Sequence, residues 1–165
     1  MRTGWLLAAL LVVPLHANAD GETTAEREIK TVIEHFETAI IDKDKEKFLS
    51  LFLHPNVTWQ PVLSQERYTG LLQSDPDTSK AGYDPSETPE RFIAGISASK
   101  SRIEETFENV VIDTDGEAAS VAFDFKFLRD GTALNVGREY WLMVRTEDGW
   151  KITAVIWSRN TPPRP

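Results

Sequence analysis

The sequence predicts an α+β fold in which helices lie on one face of a curved, antiparallel sheet. Apolar residues recur at helical spacing soon after residue 20, and again near residue 92. Beyond residue 101 the pattern changes to alternation, and three Asp-Gly pairs separate four strand-like segments. Helices followed by consecutive hairpins are typical of an α+β domain.

We predict the first helix over Glu22–Ile41, with one apolar stripe facing a core and charged residues elsewhere. The residues of that stripe are Ile29, Val32, Ile33, Phe36 and Ile40. Asp44 can cap a short second helix, because an Asp side chain accepts hydrogen bonds from the free amides of a first turn. Pro55 ends this helix, since the residue before a proline is disfavoured in the helical conformation.

A short strand and a long loop come next. Val57–Trp59 reads as a strand, and Pro61 restricts it to an edge or an end because proline cannot donate to a central ladder. Residues Ser64–Glu87 are rich in Ser, Asp, Pro and Gly, and a loop of this length is usually functional or mobile. Thr88 is a suitable N-cap for a third helix with Pro89 in its first turn.

Three hairpins complete the predicted fold as an antiparallel meander. Asp-Gly turns favour the positive φ angles that tight hairpins need. These turns are Asp115-Gly116, Asp130-Gly131 and Asp148-Gly149. The strands they join are Arg102–Asp113, Ala118–Arg129, Leu134–Thr146 and Trp150–Ser158.

The first 19 residues are predicted to be a signal peptide rather than part of the fold. Arg2 precedes an apolar run over Trp5–Leu15, and Ala17-Asn18-Ala19 is a small-x-small cleavage pattern. A short membrane anchor is the alternative, although the run is too short to span a bilayer comfortably. We therefore expect cleavage after Ala19, a periplasmic or secreted location, and a single domain over residues 20–165.

Composition excludes several classes of function. The net charge of −8 disfavours binding to nucleic acid and, after signal cleavage, to anionic membranes. The chain has no Cys, which excludes disulfides, Cys nucleophiles and thiolate metal sites. No His pair has ligand spacing, and no nucleotide-binding or phosphate-binding fingerprint is present. We expect neither a metal nor a cofactor.

The chain resembles the nuclear transport factor 2-like superfamily, in particular its SnoaL-like branch. The resemblance is carried by Gly137-Arg138, Arg145, Asp148–Ile152 and Trp157-Ser158, with support from the segment DKDKEKFLSLFLHPNVTW. It implies a cone, in which a strongly bent antiparallel sheet wraps around a long N-terminal helix with two further helices. It also implies a deep pocket open at one end, and homodimers formed through the outer face of the sheet.

Alternation along the last two strands predicts which residues line this pocket. Many members of the resembled family carry His before the Trp-Ser of the last strand, where this chain has Ile156. On that strand the predicted inward set is Trp150, Ile152, Ala154, Ile156 and Ser158. Arg138 shares a side with Tyr140, and would there need either a carboxylate of the protein or an anionic ligand. The predicted ligand-binding residues are Phe36, Trp59, Phe123, Arg138, Tyr140, Ile156 and Ser158.

The same parity places another set on the outer face. Glu139 lies opposite Arg138, and Asp124 and Lys126 alternate with the predicted core residues of their strand. An outer patch rich in Trp and Met suggests a homodimer interface, the alternative being aromatics covered by loops or side-chain stems. The patch consists of Trp141, Met143, Val155 and Trp157.

Three functions remain open from the sequence alone. An apolar pocket without a recognisable catalytic pair favours binding of a small, mainly apolar or mildly anionic ligand. An isomerase, cyclase or dehydratase would need an acid or base in the pocket, for which His35 and Glu66 are the weak candidates. A protein-interaction module would have a filled cavity. A titratable side chain inside an open cavity would favour the enzyme.

Overall fold

A computed structural model describes residues 21–163 of the chain. The predicted signal peptide, residues 1–19, lies outside the described residues. Within that range no helix is long and apolar enough to cross a membrane. In chain order the elements are α1 (Thr24–Asp42), α2 (Lys45–Ser50), β1 (Thr58–Leu63), α3 (Gln65–Leu72), α4 (Pro89–Ala98), β2 (Ile103–Thr114), β3 (Ala118–Arg129), β4 (Thr132–Thr146) and β5 (Gly149–Arg159).

Helix α1 is fixed at both ends by local hydrogen bonds. Thr23 and Glu26 form a capping box, in which the Glu26 N–H donates to Thr23 Oγ1 (3.2 Å) and the Thr23 N–H donates to Glu26 Oε2 (2.6 Å). Lys43 ends the helix in the left-handed conformation, with φ of 58°. The predicted apolar stripe is buried throughout, which confirms the helix and its inward face.

The five strands form one sheet in the order β1-β5-β4-β3-β2. Strands β2 to β5 are the predicted antiparallel meander, and β1 adds to β5 in parallel. The edge position of β1 accommodates Pro61, as predicted. The sheet curls over α1 without closing into a barrel, so one of its faces is concave and the other is open to solvent.

Three register shifts interrupt the ladders of the sheet. Asn109 and Val110 together oppose one residue of β3, Leu134 is an extra residue in β4, and Thr153 is an extra residue in β5. Asn109 adopts a φ of 54°. Such bulges increase the local twist and bend the strand. Each bulge also reverses which side of the sheet the following residues face.

Aromatic side chains pack around α1 in the core. Phe36 of α1 is 1% exposed and contacts Phe48, Phe52, Phe107 and Trp141, with ring centroids 4.7–6.5 Å apart. Such packing of large rings contributes to stability through the apolar area it removes from water. Phe36 is therefore a core residue, and it lies outside the cavity described below.

The segment predicted as one long loop contains a helix. Ser64 Oγ accepts a hydrogen bond from the Arg67 N–H (3.2 Å) and starts α3, so three helices follow α1 and not two. The Ser64 N–H donates to the Arg159 carbonyl (3.1 Å), which ties the start of α3 to the end of β5. The Leu63 N–H donates to the Lys80 carbonyl (2.9 Å), which holds the rest of the segment against β1.

Candidate functional site

A cavity of about 460 Å³ opens on the concave face of the sheet, between the five strands and helices α3 and α4. This volume is within the usual range of small-molecule pockets. Six large apolar side chains form its walls, and charged side chains surround its mouth. The lining residues are Trp59, Arg67, Glu87, Arg91, Phe92, Glu105, Phe125, Phe127, Arg129, Leu134, Asn135, Glu139, Trp157 and Arg159.

Strand β4 faces the opposite way from the sequence prediction. Tyr140 and Leu142 are 51% and 55% exposed, whereas Glu139, Trp141 and Met143 are buried. The cause is the bulge at Leu134, since Phe127 pairs with Asn135 and Val121 consequently pairs with Trp141. Directly paired residues share one face of the sheet, so the inward Val121 and Phe125 of β3 require an inward Trp141.

Strand β5 follows the prediction only as far as its bulge. Trp150 and Ile152 are buried, as predicted. After the extra residue Thr153, Val155 turns inward and Ile156 turns outward, where it is 42% exposed. Ile156 therefore lies on the convex face. Its identity, where many members of the resembled family have His, thus gives no information about the lining of this cavity.

Most of the predicted ligand-binding residues lie outside the cavity. Trp59 lines it, whereas Phe123 is fully buried in the aromatic core beside Phe107. Ser158 Oγ accepts a hydrogen bond from the Arg138 N–H (3.0 Å) and so joins β5 to β4. The Arg138 guanidinium lies on the convex face and pairs with Asp124 (3.0 Å), which agrees with the ion-pair alternative for Arg138.

The residues predicted to form an outer dimer patch lie on the concave face. The side chains of Trp141, Met143 and Val155 are at most 1% exposed. Trp157 lines the cavity and packs against Trp59, with ring centroids 5.1 Å apart. The bulges at Leu134 and Thr153 account for this reversal as well. The convex face instead carries Val111, Tyr140, Leu142 and Ile156.

The two weak catalytic candidates are both exposed and outside the cavity lining. His35 lies on the solvent side of α1, one residue before the buried Phe36. Glu66 lies in the first turn of α3 and points to solvent, while its neighbour Arg67 reaches the cavity mouth. Neither side chain is in a position to act on a molecule in the cavity.

Glu139 is a buried carboxyl group on the cavity wall. It is 3% exposed, and Trp141 Nε1 donates a hydrogen bond to its Oε1 (2.6 Å). Burial disfavours the charged form and raises the pKa of Glu139 to about 8, although the Trp141 hydrogen bond acts in the opposite direction. At neutral pH this side chain therefore holds a proton that it can exchange within the range of ordinary solutions.

Glu105 is a second buried carboxyl group in the same cavity. It lies on β2, lines the cavity and is 6% exposed. Burial is the main reason that the pKa of Glu105 is raised well above its usual value, and the charges of Glu139 and Glu37 raise it further. Burial likewise raises the pKa of Glu37, which is half-buried on α1.

The different surroundings of the two carboxyl groups separate their roles. Glu139 has a hydrogen-bond donor that stabilises its ionised form, so it loses a proton first. Once ionised, Glu139 favours the neutral form of Glu105, because two nearby negative charges repel. Near pH 8 the pair thus offers one base and one acid. Carboxyl pairs with separated pKa values are typical of acid–base catalysis.

A glycine and an amide complete the polar side of the cavity. Gly137 lies between Asn135 and Glu139 on the inner face of β4, and a Cβ atom there would lie 2.1 Å from the Ser158 carbonyl oxygen and 2.9 Å from the Phe125 ring. Only glycine permits this approach. Asn135 Oδ1 is buried, lacks a hydrogen-bond partner within the described chain, and belongs to a side chain that lines the cavity.

Four arginines surround the mouth in a chain whose overall charge is negative. They are four of the ten arginines in the sequence, and Glu87 is the carboxylate that accompanies them at the mouth. Arg67 and Arg159 are half-buried, while Arg91 and Arg129 are exposed. Burial and the charge of Arg67 lower the pKa of Arg159, and Glu87 opposes this shift.

Sequence reasoning missed Glu139 because alternation alone does not show which side of β4 faces the core. The cross-strand partners carry that information, since Glu139 pairs with the core residue Phe123. Nothing in the sequence indicated the bulge that sets this register. In the described part of the chain, no group of three or more His, Asp or Glu side chains is arranged to hold a metal ion.

Solved structures with similar folds were found for most of the chain. A proposed dehydratase of the NTF2-like family from Streptomyces avermitilis has a TM-score of 0.59 and 20% identity, over 82% of this chain and 96% of that one. An NTF2-like superfamily protein from Salmonella enterica serovar Typhimurium has a TM-score of 0.58 and 19% identity, over 86% and 93%.

A proposed aromatic-ring hydroxylase from Novosphingobium aromaticivorans has a TM-score of 0.55 and 19% identity, over 84% of this chain and 90% of that one. The chain has the NTF2-like fold. This confirms the α+β cone predicted from the sequence. No protein-family profile matches the sequence, and no curated protein does.

Proposed function

We propose that this protein is an acid–base enzyme that moves a proton on a small, mainly apolar substrate held in the cavity. The observation that carries the proposal is the pair of buried carboxyl groups, Glu105 and Glu139, on the wall of one open cavity. Burying two carboxyl groups together is unfavourable for folding, and strongly perturbed carboxyl groups in a cleft are typical of functional sites.

The roles follow from the surroundings of each group. Glu139, as a carboxylate, takes a proton from a carbon atom next to a substrate carbonyl group. In a dehydration, Glu105 gives its proton to a hydroxyl group, which leaves as water while the carbon–carbon double bond forms. In an isomerisation, the proton on Glu139 returns to a different carbon atom. Both reactions begin with the same proton abstraction, and a dehydratase is proposed for one protein of similar structure.

Binding without catalysis is the second candidate function. The apolar walls support it, because Trp59, Trp157, Phe92 and Phe127 would hold an aromatic or alicyclic body equally well in a carrier protein. The paired carboxyl groups favour the enzyme, since a carrier of apolar molecules has no need of two buried acids. The predicted signal peptide leads us to place either activity in the periplasm or outside the cell.

Hydrogen–deuterium exchange tests the proposal before a substrate is known. Acetophenone and 4-hydroxy-4-phenyl-2-butanone would be incubated with the protein in D₂O, and loss of the C–H signal next to the carbonyl would be followed by proton NMR. We expect exchange above the buffer rate that increases as the pH approaches 8, and a decrease of about 100-fold or more in E139Q.

The control for this experiment is R138Q, which changes a charged residue of the same strand on the convex face. It should leave the exchange rate unchanged. Exchange that is equal in E139Q and the unaltered protein contradicts the assigned base. Binding of both ketones without exchange above the buffer rate contradicts the enzyme and favours the carrier.

A further inference from the structure

The charge around the cavity mouth is unbalanced. Four arginines face one carboxylate, Glu87, which leaves three positive charges in excess at the mouth of a protein whose net charge is −8. Burial raises the pKa of both glutamates inside the cavity, which reduces the negative charge that they can set against this excess. Within the described residues, none of the four guanidinium groups forms an ion pair.

Arg67 and Arg159 are held beside each other by the backbone. The hydrogen bond from the Ser64 N–H to the Arg159 carbonyl fixes the first turn of α3 against the end of β5. Arg67 is in that first turn, and both arginines line the same cavity. Burial is the main cause of the lowered pKa of Arg159, and the positive charge of Arg67 lowers it further. Two half-buried cations at one cavity are unfavourable unless an anion lies between them.

The first turns of two helices add to the positive potential at this place. Arg67 is the third residue of α3, and Arg91 is the third residue of α4. The N-terminus of a helix carries a partial positive charge, which makes a cation in the first turn unfavourable and an anion beside it favourable. The acidic residues of the same turns, Glu66 and Glu90, are exposed and do not line the cavity.

We propose that the substrate of this enzyme is an organic carboxylate, whose carboxylate group binds between Arg67 and Arg159 while its apolar body reaches into the cavity. The guanidinium group matches a carboxylate with two parallel N–H donors. Trp59 and Trp157 would hold the body, and Glu139 would face carbon atoms deeper in the cavity. This inference rests on the proposed function, and it replaces Arg138 as the anion-binding residue.

Matched pairs of probes test this substrate class. The carboxylates would be benzoate, phenylacetate and 3-phenylpropionate, and the controls would be the three corresponding primary amides, which have nearly the same shape without the charge. Binding at pH 7 would be measured by isothermal titration calorimetry, and the indole N–H signals of Trp59 and Trp157 would locate the probe by NMR. We expect at least one carboxylate to bind about tenfold or more tightly than its amide.

Substitutions then identify the binding group. R67Q and R159Q should each reduce the affinity for the carboxylate about tenfold and leave the affinity for the amide unchanged, which also shows that the cavity is intact. R138Q is the matched control and should bind both probes as the unaltered protein does. Equal affinity for carboxylate and amide, or no carboxylate binding up to 10 mM, overturns the inference. Loss of amide binding in R67Q and R159Q also overturns it, because these arginines would then only shape the cavity.

The variant E139Q separates this inference from the proposed function. It should retain the preference for carboxylates and lose proton transfer. If the unaltered protein shows no preference for carboxylates over amides, the substrate class is overturned, and the result of the exchange experiment is unaffected. Exchange that persists in E139Q overturns the base, while binding of carboxylates by Arg67 and Arg159 would still stand.

Discussion

At the scale of single residues, the surroundings of Glu139 determine both its chemistry and its effect on stability. Its pKa is about 8 because burial penalises the ionised form, whereas a glutamate in an unfolded chain ionises near pH 4.5. Between these two values the folded state keeps a proton that the unfolded chain releases. The stabilising contribution of the neutral group is thus complete below about pH 4.5 and is lost as the pH rises through 8.

This linkage predicts a pH dependence of unfolding. The free energy of unfolding should fall between pH 4.5 and 8, with a contribution from Glu139 of up to about 1.4 kcal/mol per pH unit. When the free energy of unfolding of E139Q is measured by urea unfolding at several pH values, its dependence on pH should be weaker by this amount. The control E108Q changes an exposed glutamate that pairs with Lys126, and it should keep the slope of the unaltered protein. Identical slopes for E139Q and the unaltered protein would contradict the assigned pKa.

Gly137 is required because its missing side chain leaves room for the backbone of β5 and for the Phe125 ring. We expect G137A to reduce the free energy of unfolding by about 2–3 kcal/mol, because a Cβ 2.1 Å from the Ser158 carbonyl oxygen forces the backbone to move. Gly95 provides a matched control in α4, since a Cβ atom added there would have nothing within 4 Å. G95A should stabilise the protein by up to about 1 kcal/mol. A G137A variant that is as stable as G95A would show that β4 and β5 are not tightly apposed.

At the scale of elements, the sequence was sufficient for the helices and strands but not for the direction that two strands face. The stripe of α1 and the alternation of β3 each have one apolar side, and both predictions are confirmed. Strand β4 is apolar on both sides, with Trp141 and Met143 on one and Tyr140 and Leu142 on the other. The side of β4 that faces the core therefore depends on its register with β3 alone. The bulge at Leu134 sets this register and makes the orientation of β4 the reverse of the predicted one.

The candidate site depended on this same register. Both charged wall residues, Glu105 and Glu139, lie in strands that a bulge interrupts. The mouth depended on α3, whose sequence has weak helical periodicity and whose position comes from hydrogen bonds to distant residues such as Arg159. Local patterns contain no information on either feature. Trp59 was found because a large aromatic residue next to a long loop is a simple local signal.

Deletion of Leu134 tests whether this residue is the extra one in β4. Without it, Ala133 and Asn135 become neighbours opposite Leu128 and Phe127, and the pairs beyond them, including Val121 with Trp141, are unchanged. We therefore expect a loss of only about 1 kcal/mol in the free energy of unfolding, with the near-ultraviolet circular dichroism of the buried tryptophans retained. Deletion of Ser79, an exposed loop residue, is the matched control. A deletion of Leu134 that unfolds the protein or abolishes this signal, while deletion of Ser79 does not, would contradict the assigned register.

At the scale of the whole molecule, the convex face of the sheet carries a continuous apolar row. Val111, Ala122, Tyr140 and Ile156 pair in register across β2 to β5, and Leu142 lies beside this row. Val111, Tyr140, Leu142 and Ile156 are 57%, 51%, 55% and 42% exposed. Exposed apolar patches of this kind often mark association surfaces. The predicted homodimer remains our proposal, with these residues in place of the buried ones.

The variant L142E tests this interface. A charge at the centre of an apolar interface is unfavourable, so we expect a dimer that dissociates in L142E, as measured by sedimentation velocity. L71E is the matched control, because Leu71 is an exposed leucine of α3 and is 39% exposed. It should leave the dimer intact. A monomeric unaltered protein at 100 μM, or equal effects of L142E and L71E, would contradict the proposed interface.

The proposed chemistry depends on two carboxyl groups inside the cone whose pKa values burial raises. Carbon-13 NMR of protein labelled at the glutamate carboxyl carbons measures this directly, as the pH is raised from 3 to 10. We expect one signal with a midpoint near pH 8 that is absent from E139Q, and a second signal that titrates well above the ordinary glutamate range and is absent from E105Q. Titration of every glutamate below about pH 5.5 would contradict it.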